Sequence, residues 1–123
     1  MEWVPLLIAL CCGTALGFVL GLVPGLGGKT SIILTTPLAL LWDGPEAGVF
    51  LIALHSVIHT SSSIPAIAFG VPVTSADLAT VQDGFPLARA GRASEALGAS
   101  LSASALGGLI GALAFLALIP FSR

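Results

Sequence analysis

Gly21-Leu-Val-Pro-Gly-Leu-Gly-Gly-Lys-Thr30 closes an apolar run that opens at Trp3, and it cannot extend that run as a regular helix. Pro24 lacks the N–H a helix interior needs, and the four glycines are poor helix formers. At membrane depth, backbone freed in this way is tolerated only where protein buries it or a watery cavity meets it. The stretch therefore predicts an all-α membrane fold with a broken or re-entrant segment, and a functional site at the break.

The residues on either side agree. Of 123 residues, 56% are hydrophobic and 8% charged, against roughly 25% charged in a soluble domain. Spanning a bilayer takes about 20 apolar residues in a helix. Residues 3–23, 47–69 and 96–121 meet that length, while 30–42 reads as a re-entrant or tilted partial span. The expected architecture is three full transmembrane helices plus broken half-helices, in one membrane domain covering 1–123. Glu2 stands where a secretion signal would carry basic residues, so the first span is expected to belong to the mature protein. Cys11 and Cys12 are adjacent, cannot sensibly bridge each other, and read as two small apolar residues. A net charge of -2 without a basic run excludes nucleic acid as a partner.

Gly13, Gly17, Gly21 and Gly25 recur every four residues, and Ala96, Ser100, Ser104, Gly108 and Ala112 repeat the device. Side-chain-free ridges let membrane helices approach backbone to backbone. A second interruption starts in Thr60-Ser-Ser-Ser-Ile-Pro65 and runs through Gly70-Val-Pro-Val-Thr-Ser-Ala-Asp77. Arg89 and Arg92 favour a cytoplasmic connection between residues 70 and 95.

Gly28-Lys29-Thr30 is not a nucleotide loop, because the required earlier glycine is Val23. Two readings stand for it. A half-helix starting near Thr30 would turn unpaired N–H groups and a positive dipole end toward an anion, reinforced by Lys29. Alternatively, Pro24 kinks a span and Lys29 reaches out to the headgroups. His55 and His59 lie one helical turn apart, a spacing that serves polar packing, a proton relay or, less well, a metal. Neither Cys nor a carboxylate lies nearby in sequence to complete a metal site, and no metal is expected. Ser61, Ser62, Ser63, Thr74, Ser75 and Thr80 supply hydroxyls for a carboxylate or a sodium ion, or bond back to helix carbonyls. Asp77 is the better candidate for ion coupling, whereas Asp83, ahead of Gly-Phe-Pro, reads as a turn or cap residue. No Ser-His-Asp arrangement or cofactor fingerprint is present, so no enzyme, catalytic residue or cofactor is expected.

Pro24-Gly-Leu-Gly-Gly28, Ser63-Ile-Pro-Ala-Ile67 and Asp83-Gly-Phe-Pro-Leu-Ala-Arg-Ala-Gly-Arg-Ala93, followed by Ala96-Leu-Gly98, Ala103-Ser104 and Gly107-Gly108, run over nearly the whole chain. In this order they resemble the large membrane subunit of tripartite tricarboxylate transporters, the TctA type. The resemblance implies an inner-membrane, multi-pass secondary transporter driven by a sodium or proton gradient. Its cargo would be a citrate-like carboxylate handed over by a periplasmic binding protein, and a small membrane subunit would be its partner. Carried over by position, the site would involve Pro24, Gly25, Gly27, Gly28, Lys29 and Thr30 of the first break. Ser63, Pro72, Thr74, Ser75 and Thr80 would come from the second, with Asp77, His55 and His59 for the coupling ion. The chain departs from the family where Val73 replaces a glycine, Thr60-Ser-Ser-Ser63 replaces Tyr-Gly-Gly-Ser, and Lys29 adds a charge. Family members are several times longer, so the chain is expected to match the start of the first half of a permease whose remaining segment is a partner. Alternatives are a membrane interaction subunit without autonomous transport and a homo-oligomer that completes itself from copies.

Overall fold

A computed structural model describes residues 3–122, with side chains through residue 120; Glu2 and Arg123 lie outside the described residues. Helix α1 spans Trp3–Leu22, α2 Lys29–Ala39, α3 Pro45–Ser61, α4 Ser63–Phe69, α5 Asp77–Arg89 and α6 Ala93–Leu118, with a closing 3-10 turn at Ile119–Ser122. There is no strand among the described residues. Three helical stretches, Trp3–Leu22, Pro45–Phe69 and Ala93–Leu118, are long and apolar enough to cross a membrane.

The first interruption falls where Pro24 demands it. Leu26 N–H donates to the Val23 carbonyl at 3.2 Å, closing a turn with Pro24 and Gly25 at its centre. Proline presets the first central residue of such a turn, and the second needs positive φ. Gly25 supplies it at 89°. Helix α2 then restarts at Lys29 and, at 11 residues, is only about 16 Å long, too short to span a bilayer.

The second interruption is divided. Pro65 has no N–H for the Ser61 carbonyl four residues back, so the long helix lapses at Ser62 alone and resumes as α4. It ends at Gly70, whose φ of 68° is left-handed. Gly70 N–H donates to Ala66 O and Val71 N–H to Pro65 O, and residues 71–76 are irregular.

Three of the four ridge glycines pack as expected. A Cβ at Gly13 would lie 2.5 Å from the Phe50 carbonyl oxygen, and one at Gly17 2.5 Å from that of Leu54. A Cβ at Gly21 would collide with Ser61 Oγ. Backbones of α1 and α3 thus meet directly, and the Ser61 hydroxyl reaches the Gly17 carbonyl at 3.4 Å. Around this seam Ala9, Leu20, Ala39, Phe50, Leu54 and Ile58 form the core, with α2 laid on α3 through Ser31, Thr35 and Ala39. Gly25 belongs to the turn rather than the seam. The second ridge is covered only at its start: in α6 only Ala96 is buried, and a Cβ at Gly98, Gly107, Gly108 or Gly111 meets nothing within 4 Å.

Asp83 is neither a turn nor a cap residue; it lies inside α5, as do Gly84 and Pro86. Tertiary contact overrides their helix-breaking tendency, because α5 packs between α4 and α6 and a Cβ at Gly84 would sit 2.7 Å from Ile67 Cγ1. The chain turns at Gly91 instead, with φ 78°.

Candidate functional site

The two interruptions meet. A Cβ on Gly27 would come within 2.8 Å of both the Val73 carbonyl oxygen and Thr74 Cγ2. Beside this contact lies a cavity of about 590 Å³ lined by Gly27, Gly28, Lys29, Ile32, His55, His59, Val73, Thr74, Ser75 and Ala76, within the roughly 300–1,000 Å³ typical of small-ligand sites. The first break supplies one wall, the irregular residues after Gly70 another, and α3 the histidines between them.

Lys29 is the first residue of α2, and Gly28, its N-cap, offers no capping side chain. The helix therefore begins with amide donors and a positive dipole end beside an ammonium group. Among the described residues the one ion pair is the exposed Arg92–Glu95 bridge at the start of α6, so Lys29 has no carboxylate partner there. His55 and His59 face each other through their Nε2 atoms at 3.3 Å, rings nearly perpendicular. That is within hydrogen-bond distance, with the tautomer setting which Nε2 donates. His55 Nδ1 is buried with no hydrogen-bond partner among the described residues, as is the Ser31 hydroxyl on the buried face of α2.

Asp77, 5% exposed, faces the cavity's second wall from behind. Its Oδ2 accepts Val73 N–H at 3.1 Å, Thr74 N–H at 2.6 Å and the Thr74 hydroxyl at 3.0 Å. Its Oδ1 accepts the Ser62 hydroxyl at 2.8 Å. Since a hydroxyl has a single hydrogen, Thr74 can offer the cavity only an accepting oxygen.

Of the residues singled out in the sequence, the structure gathers Gly27, Gly28, Lys29, Thr74, Ser75, His55 and His59 around this cavity. Pro24, Gly25, Thr30 and Pro72 are exposed and outside it. Ser63 is buried, its hydroxyl donating to the Thr60 carbonyl, while Ser61 bonds back to Val57 at 2.9 Å. Thr80 lines a different cavity of about 540 Å³, with Asp83, Ser100 and Ser104, between α5 and α6. Ile32 and Ala76 were missed, and Val73 stood out only as a departure from the family. Ile32 could have been found from its place one turn after Gly28 on the restarted helix, whereas nothing in the sequence marks Ala76 beyond its adjacency to Ser75. Among the described residues no group of three or more His, Cys, Asp or Glu is placed to hold a metal ion.

A model of the tripartite tricarboxylate transporter TctA family matches residues 7–123. The chain is also 28% identical over 101 residues to an uncharacterized 52.8 kDa protein in the TAR-I ttuC' 3' region of Agrobacterium vitis. That match covers 82% of this chain and 20% of the relative, so the chain spans about a fifth of that protein's length. No solved structure matches.

Proposed function

Since the chain belongs to the tripartite tricarboxylate transporter TctA family, a family of membrane transporters, we propose that the cavity between its two helix breaks is the binding site for a tricarboxylate-like anion. The observation that carries this reading is the unpaired Lys29, at an uncapped helix start, in one cavity with Thr74, Ser75 and the two histidines. Cation, helix dipole and free amides act in the same direction on a carboxylate, and more strongly away from bulk water. Half-helix ends at a midplane site are a recurrent arrangement in secondary transporters. In this reading both breaks lie within the bilayer, and α2 is a re-entrant half-helix.

The chain then serves as the start of the first half of an inner-membrane permease, completed by its remaining segment and joined by a small membrane subunit. A periplasmic solute-binding protein delivers the carboxylate, and a sodium or proton gradient drives uptake. His55 and His59, within hydrogen-bond distance of each other at the cavity wall, are the coupling groups for a proton. The uncovered length of α6 favours a second reading, an interaction subunit that assembles a complex without transporting.

The deciding experiment is uptake of labelled citrate by proteoliposomes holding this chain with its complementary permease segment, small subunit and binding protein. Gradient-dependent uptake is expected. Absence of uptake for a panel of carboxylates under both sodium and proton gradients overturns the transport reading in favour of the interaction subunit.

A further inference from the structure

Residues 71–76 have no helix or sheet to satisfy their backbone, and Pro72 has no N–H to offer. The buried N–H of Val73 and the half-buried N–H of Thr74 therefore need an acceptor from elsewhere, and the Asp77 carboxylate provides it. The same carboxylate takes the Ser62 hydroxyl, at the one-residue lapse between α3 and α4. One side chain thus ties the lip of the cavity to the point where the long helix is broken. Three N–H and O–H donors of the lip converge on Oδ2, and the Ser62 hydroxyl takes Oδ1, so both oxygens of the carboxylate are engaged. A coupling carboxylate has to exchange such partners for a cation or proton during each cycle, whereas in this structure both oxygens of Asp77 are engaged by donors of its own fold.

We propose that Asp77 is a positioning residue for the cavity: it sets the Val73–Thr74 lip against Gly27 and directs the Thr74 hydroxyl hydrogen away from the ligand. For the ligand itself this rests on the carboxylate-binding reading above.

Asparagine separates hydrogen bonding from charge. Its carbonyl accepts from the Val73–Thr74 lip as the carboxylate does, and its amide donates to Ser62 Oγ, which accepts as readily as it donates. Alanine removes both. The test compares Asp77→Asn, Asp77→Ala and Ser62→Ala in the assembled transporter, reading amide hydrogen exchange at Val73 and Thr74 together with citrate binding at fixed and varied sodium and pH. Asp77→Ala is expected to lose protection of these two amides while α1 and α3 stay protected, and to bind citrate about tenfold more weakly. Asp77→Asn is expected to keep the protection, to bind within about threefold of the wild type, and to leave the sodium and pH dependence unchanged. If Asp77→Ala does not fold, Asp77→Asn still decides. Normal amide protection in Asp77→Asn with altered ion dependence makes Asp77 an ion site and overturns the proposal, as does lost protection in that variant. Ser62→Ala is expected to raise exchange at the same amides less than Asp77→Ala does; no change there removes the tie to the helix lapse. Exchange that follows the expected pattern in a transporter that binds no citrate supports the positioning role and removes the carboxylate reading instead.

Discussion

Gly27 and Val73 touch where neither break leaves room for a side chain: a Cβ on Gly27 would lie 2.6 Å from Val73 Cγ1. The contact joins residues 46 positions apart, as their numbers show, and it closes one side of the cavity. A valine at position 27 forces the two loops apart, so Gly27→Val is expected to weaken citrate binding by about tenfold or more. Gly25→Ala is the control, since Gly25 has open space but a φ of 89°. It is expected to cost roughly 1–2 kcal/mol of local conformational energy and to leave affinity nearly unchanged. Isothermal titration of both variants checks the contrast, and equal losses would refute it.

Among the described residues, Lys29 is the one lysine, arginine or carboxylate side chain lining the cavity. Lys29→Gln keeps most of the stem and removes the charge, and is expected to lower citrate affinity about tenfold with normal membrane insertion. Raising salt weakens exposed charge interactions, so the wild type's affinity falls with ionic strength more steeply than the variant's. Unchanged affinity in titrations at two salt concentrations removes Lys29 from the site.

Thr74 donates its hydrogen to Asp77, so a ligand hydroxyl can donate to the Thr74 oxygen while a ligand carboxylate finds no donor there. The cavity is therefore expected to prefer citrate over tricarballylate, which has the same three carboxylates and no hydroxyl, by at least about tenfold. Thr74→Val is expected to abolish most of that preference. Competition binding in the two proteins measures it, and equal affinities in the wild type would refute the assignment.

The His55–His59 contact at 3.3 Å makes the pair a unit. In a double-mutant cycle with glutamine at each position, the coupling in thermal stability is expected to be about 0.5–1 kcal/mol. Additive losses would show two independent side chains.

Much of this arrangement is legible in the residues themselves. Pro24-Gly25 ends one helix by covalent geometry, and Gly13, Gly17 and Gly21 announce a seam by their spacing, because both effects are local. Lys29, His55, His59 and Thr74 were identifiable as chemistry-bearing groups before any contact was known. Their convergence was not, since Gly27 meets Val73 only through the packing of elements distant in the chain. Thr80 shows the converse: near Thr74 in sequence, it turns with α5 toward α6 and leaves the site. Asp83-Gly-Phe-Pro misleads for a related reason, as Ile67 fills the space that Gly84 leaves and keeps the segment helical. Asp77 was noticed for its charge, yet its hydrogen-bond partners come from the loop ahead of it and from Ser62, a pattern invisible to composition.

Two small-residue ridges of similar spacing consequently differ as mutational reporters. Leucine at Gly17 runs into the Leu54 carbonyl and is expected to destabilise even the isolated chain, by about 1–3 kcal/mol. A Cβ at Gly108 meets nothing within 4 Å, and leucine favours helix by propensity, so thermal unfolding of the isolated chain should leave leucine there silent or improved. A penalty at Gly108 that emerges only in living membranes then reads out the footprint of a neighbour seated on α6.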